Sequence, residues 1–93
     1  MASYNDIAER IIKEQELVIG PVAWNEARKV SGLQIIGNKI DINNSSGDPK
    51  SVIDRLISQY ENIFGRASRE VCREAVAALV ADMPMSDIPS SLR

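Results

Sequence analysis

The sequence predicts an α+β fold, predominantly helical, with four helices and a small β-hairpin between the second and the third. Three observations carry this expectation. From Ser51 to Phe64, the residues Val52, Ile53, Leu56, Ile57, Tyr60, Ile63 and Phe64 recur at the three- and four-residue intervals of one helical face. One glycine later a second stripe follows, with Val71, Cys72, Ala75, Val76, Leu79, Val80 and Met83 on one side, so the C-terminal half reads as two helices on a shared core. Between Leu33 and Ile42 the period changes, and β-branched residues alternate with polar ones on both sides of Gly37-Asn38, a two-residue turn signal.

The first helix is expected from about Tyr4 to Val18. Ser3 followed by Asp6 at N3 resembles a capping box, with Asp replacing the usual Glu or Gln. Ile7, Ala8, Ile11, Ile12 and Val18 form its inner face, and Glu9 with Lys13 and Arg10 with Glu14 stand at i,i+4 on the wet side. Gly20 breaks that helix, and Pro21 starts a short second one at N1, where its missing N–H costs nothing. This helix runs to about Val30, with Val22, Ala23, Ala27 and Val30 inward and Trp24 beside them, and Ser31-Gly32 ends it. Leu33, Ile35 and Ile36, then Ile40 and Ile42, make the two strands, which are marginal alone and must lie on the helices or join another chain. Asn43 to Gly47 reads as a polar loop. Asp48 as N-cap and Pro49 at N1 start the third helix, which stops at Gly65. The fourth runs from about Arg66 or Ser68 to Asp82, and Pro84 closes it. Residues 1–84 are expected to form one domain, with 85–93, rich in serine and containing Pro89, as a loose tail.

Composition narrows the function classes. A chain of 93 residues with 44% apolar content has room for one core. The net charge of −2 offers no global positive field to attract DNA, RNA or an anionic membrane. No apolar run approaches the roughly 18 residues that span a bilayer, and the N-terminus is polar rather than a signal peptide. A cytoplasmic protein without a membrane role is therefore expected. Cys72 is the only cysteine, so an internal disulfide or a cysteine zinc cage is excluded, and the sequons at Asn43 and Asn44 mean little without a secretory route. Histidine is absent, which removes Ser-His-Asp and Cys-His catalysis and nearly all zinc chemistry. The glycines are scattered singly, with no phosphate loop or dinucleotide fingerprint. No cofactor, metal or catalytic set is indicated.

Four constellations invite a functional reading. Arg66, Arg69 and Arg73 are spaced so that three guanidinium groups can share one helix face near its N-terminus and hold a phosphate or an acidic partner. Glu70 and Glu74 are interleaved and can pair with Arg66 and Arg73, and a solvated, salt-bridged surface is the usual meaning of such a pattern. Ala27 to Leu33 superficially resembles the turn of a helix-turn-helix, but the recognition helix would have to occupy Gln34 to Ile42, which contains Gly37, alternating isoleucines and only Lys39 as a base-contacting cation. Asp41, Asn43 and Ser45 place oxygens at alternate positions as a calcium loop does, yet Ser46 stands where glycine is needed and Val52 where the bidentate Glu should be. Cys72 lies in an apolar stripe and reads as a small core residue rather than a redox thiol.

By elimination, and from a surplus of apolar faces for so short a chain, the sequence points to a non-enzymatic regulatory or assembly module that binds another protein or itself. Trp24, the only tryptophan, is the candidate anchor; the competing reading has it filling the core between the first and second helices. The alternative function is a nucleic-acid-binding regulator using Arg28, Lys29, Lys39, Arg66, Arg69 and Arg73.

Overall fold

The computed structural model describes residues 3–37, 39–42 and 48–92. Helix α1 spans Tyr4–Ile19. The Ser3 hydroxyl accepts from the Asp6 N–H at 3.2 Å while the Ser3 N–H donates to the Asp6 carboxylate at 3.1 Å. Aspartate thus completes the capping box as the longer acid usually does. Gly20 closes α1 with φ +80, a conformation that side chains rarely adopt, and its N–H donates to Glu16 O at 2.8 Å. Helix α2 covers Val22–Ala27 and ends earlier than its apolar spacing suggests. The Lys29 and Val30 N–H groups bond three residues back, to Glu26 O and Ala27 O, so the chain tightens into turns before the hairpin.

Strands β1 (Leu33–Ile36) and β2 (Lys39–Ile42) form the expected antiparallel hairpin, with Leu33 opposite Ile42 and Ile35 opposite Ile40. Alternation decides its orientation: Leu33, Ile40 and Ile42 are buried and Ile35 packs on them, whereas Gln34, Ile36, Lys39 and Asp41 face solvent. A DNA-reading helix over Gln34 to Ile42 is thereby excluded. The far edge of β2 is tied to α1, since the Ile42 N–H donates to Asn5 Oδ1 at 2.9 Å. Asn38 and the polar loop 43–47, with its sequons and most of the calcium-like pattern, lie outside the described residues.

Helix α3 (Pro49–Phe64) is capped by Asp48, whose side chain accepts from the Lys50 N–H, and closes on Gly65. Helix α4 (Ala67–Val80) follows at once. The core is built where α1 packs on α4, α3 on α4, and α2 on both α1 and α3. At its centre lie Ile11, Ile12, Ile53, Leu56, Ile57, Tyr60, Cys72 and Val76, none exposed.

Several expectations about burial are corrected, and Val22 of α2 and Val71 of α4, expected inward, are only half-buried and outside the core cluster. Val18 is 64% exposed, and the next residue, Ile19, packs on the core in its place. Ile63 of α3 is likewise 49% exposed, while the next residue, Phe64, packs on the core. Leu79 is only partly buried, at the margin of the core rather than within it. The segment 85–92 is not loose. Two 3₁₀ turns, Met85–Asp87 and Ser90–Leu92, lay it along α3 and α4, with Pro89 and Leu92 buried. Polar contacts hold it down: the Ser90 hydroxyl and Ser91 N–H donate to the Asp54 carboxylate at 2.9 and 3.1 Å, Lys50 Nζ donates to Ser86 O at 2.9 Å, and the Tyr4 hydroxyl donates to Asp87 O at 2.7 Å. Serine and proline content suggested freedom, but each serine here has a fixed partner on the body of the fold.

Candidate functional site

Two buried polar contacts set how the helix ends meet. Gln15 of α1, 1% exposed, donates its amide to Ser68 O at 3.1 Å and to Cys72 Sγ at 3.4 Å, which places the C-terminal half of α1 on the first turns of α4. Tyr60 of α3 donates its hydroxyl to Ala23 O of α2 at 2.7 Å. Beside it, Glu26 accepts from Gln59 Nε2 at 2.8 Å and from Lys29 Nζ at 3.0 Å. Those two donors, Gln59 first, hold the Glu26 carboxyl below its ordinary 4.5. Sequence reading missed Gln15, Glu26 and Gln59, because a polar residue beside an apolar stripe carries no mark of burial until its partner on another helix is known.

These contacts gather the ends of α1 and α3, the start of α4, and α2 at one end of the molecule, where Gly20 and Gly65 close their helices. Leu17 is 80% exposed there, with Val18 and Ile63 uncovered as given above. Trp24 and Phe64 belong to the same end and are half-buried, each packed partly on the core. Trp24 thus rests on the core with one portion of its side chain while the rest meets water.

The three arginines lie along α4 and its entry. Arg69 makes a two-pronged pair with Glu61 of α3, at 3.0 and 3.1 Å, and Arg73 pairs with Glu70 at 3.1 Å. Arg66 shares a shallow open depression with Arg69, Glu61 and Glu70. Carboxylates thus already answer two of the three guanidinium groups. The pairing differs from that expected, since Glu70 turns to Arg73 rather than Arg66. The wider basic set is divided among elements: Arg28 donates to Asn25 Oδ1 at 3.0 Å, Lys29 is held by Glu26, and Lys39 is exposed on β2. Cys72 is fully buried, and burial pushes its thiol up to about 11, so it packs as an apolar residue.

No helix among the described residues is long and apolar enough to cross a membrane. No family model, curated protein or solved structure matches the chain.

Proposed function

We propose that the protein is a small non-enzymatic regulatory or assembly module that acts through protein–protein association. The observation that supports it is the end where α1 and α3 close, at which Leu17, Val18 and Ile63 are exposed and Trp24 of the adjoining α2 is half-buried. Scattered apolar surface residues are ordinary, but exposed apolar side chains at the ends of two helices, with a half-buried tryptophan on the adjoining element, have the composition of an interface centre. Charged groups belong to the same helix ends: Glu16 and Arg66 are exposed, and Arg69 is bound to Glu61. A rim of this kind surrounds an apolar centre in many contact surfaces, and it weakens the claim of the arginines to be a free anion site.

Capture from the native cell tests the reading. Tagged native chain should retain a specific bound chain, or more of its own, and Leu17→Lys with Ile63→Lys should lose it at an unchanged far-UV circular dichroism spectrum. Trp24→Ala should weaken the same association. If Arg66, Arg69 and Arg73 changed to Gln abolish binding while the apolar variants leave it intact, association through this end is wrong and an anionic partner takes its place. Nucleic-acid binding would then show itself by steep weakening as salt rises.

A further inference from the structure

We propose that the outer edge of β1 is a pairing site for β1 of a second copy of this chain, the two strands running antiparallel about a two-fold axis at Ile35. The proposal rests on the association reading above, and names its partner and a second surface.

The register and the Asn5 contact together decide which backbone groups point outward. Because the Ile42 N–H leaves the hairpin for Asn5, Leu33–Ile42 is a pair without ladder bonds, and so is Ile35–Ile40 two residues on. The N–H and C=O of Ile35 consequently face away from β2, as does the carbonyl of Leu33. The Leu33 N–H is satisfied by Val30 O at 3.3 Å. Among the described residues Ile35 has no backbone partner on that side, and β1 packs chiefly on β2. An open row of donors and acceptors is a template for another strand.

Self-complementarity singles out a second copy. Centred at Ile35, antiparallel pairing sets the N–H of each Ile35 on the C=O of the other. Each Gly37 N–H then reaches the opposite Leu33 carbonyl, the one group there still lacking a donor. The strand Leu33-Gln34-Ile35-Ile36 carries no charge, proline or guarding lysine, so two copies meet without repulsion, while Lys39 and Asp41 stay one strand away on β2. Ile36, 68% exposed, comes to lie opposite Gln34 of the other copy and is covered by its stem. The half-buried Ile35 meets its own equivalent, and a sheet of two short strands, marginal by itself, becomes one of four.

Residues 34 and 36 of opposite copies form a closely spaced pair, about 4.5 Å between Cα atoms, so charge placed there reads the register. Both side chains face solvent; within the hairpin Glu at 36 would sit opposite Lys39 and a charge at 34 opposite Asp41, so the far-UV circular dichroism of each variant is first matched to native. Sedimentation equilibrium of the native chain should show a dimer. Gln34→Glu with Ile36→Glu should weaken it roughly tenfold, whereas Gln34→Lys with Ile36→Glu, which sets Lys against Glu across the axis, should keep it within about threefold of native. Exchange of the Ile35 amide provides a readout independent of folding in the variants: in the native chain it should slow as concentration rises. A native monomer at about 1 mM with a freely exchanging Ile35 amide overturns the proposal. A dimer indifferent to both variants overturns it as well. Either result leaves the apolar end standing, since that reading fails only through Leu17, Trp24 and Ile63.

Discussion

At Cys72 the side chains of α1 and α4 remove the thiol from water and raise its pKa from the ordinary 9.0 to about 11. An unfolded chain therefore loses this proton near pH 9 while the folded chain keeps it. The stabilisation is complete below pH 9 and is lost as pH rises toward 11, a decline on the order of 2 kcal/mol. Tyr60, raised in the same direction by burial, steepens the fall. Urea midpoints between pH 8 and 11 should drop accordingly, and a thiol reagent at pH 8 should react with Cys72 only at the rate of unfolding. Rapid reaction with native protein would show that the thiol is accessible. Glu26 has the opposite sign. Its lowered pKa stabilises the fold above pH 4.5, and that contribution disappears as pH falls through the folded value, so Glu26→Gln should flatten the acid limb of the stability profile. Tyr60→Phe keeps the ring but removes the hydroxyl's buried bond to Ala23 O, at about 0.5 to 1.5 kcal/mol of stability, read from the shift in urea midpoint.

The helices owe their limits to single residues that the sequence displays openly. Ser3→Ala and Asp48→Ala should each cost about 0.5 to 2 kcal/mol, because each removes the acceptor for an N–H of the first turn. Gly65→Ala should destabilise through backbone strain alone, since φ is +90 and no atom lies within 4 Å of an added Cβ. Gly65→Asn should recover little, because ψ of 178 lies outside the left-handed helical region that asparagine tolerates. Leu56→Ala, at a site with no exposure, should cost about 2 to 5 kcal/mol in a denaturant titration, and Leu79→Ala clearly less, because Leu79 lies at the margin. Equal losses at both positions would mean that α4 is seated more deeply than its exposure indicates.

For the molecule as a whole, the C-terminal segment is a component of the core rather than an appendage. Removing residues 84–93 uncovers the surface beneath Pro89 and Leu92 and strips Asp54 of both its donors. The shortened chain should unfold several kcal/mol more easily, since burying a leucine side chain alone contributes about 1.5 to 3 kcal/mol. An unmoved thermal midpoint would show that the segment merely rests on the surface. Net charge acts at the same scale: with −2 overall and Lys29, Arg69 and Arg73 each bonded to a carboxylate, any affinity for nucleic acid should be weak and vanish in moderate salt.

The apolar stripes of α3 and α4, the caps at Ser3 and Asp48, the breaks at Gly20 and Gly65, and the alternation around Gly37 were all legible in the sequence, because each is governed by interactions within a few residues of chain. Local pattern also identified Leu56 and Cys72 as interior. The exposure of Val18 and Ile63 was not legible: each stands at the edge of its stripe, and only the packed structure shows that the next residue, Ile19 or Phe64, takes the inward place. Gln15, Glu26 and Gln59 were hidden for a related reason, since their burial is tolerable only with partners on other elements. Ser90 and Asp54, 36 residues apart, make the tail a fixed part of the fold through a contact no local pattern records. The sequence by itself determined the elements and their inward faces, through short-range sterics, capping and hydrophobic period. Only the tertiary structure decided which apolar side chains stay uncovered, which arginines are already neutralised and which strand edge is left open, because these depend on where separate elements end against one another.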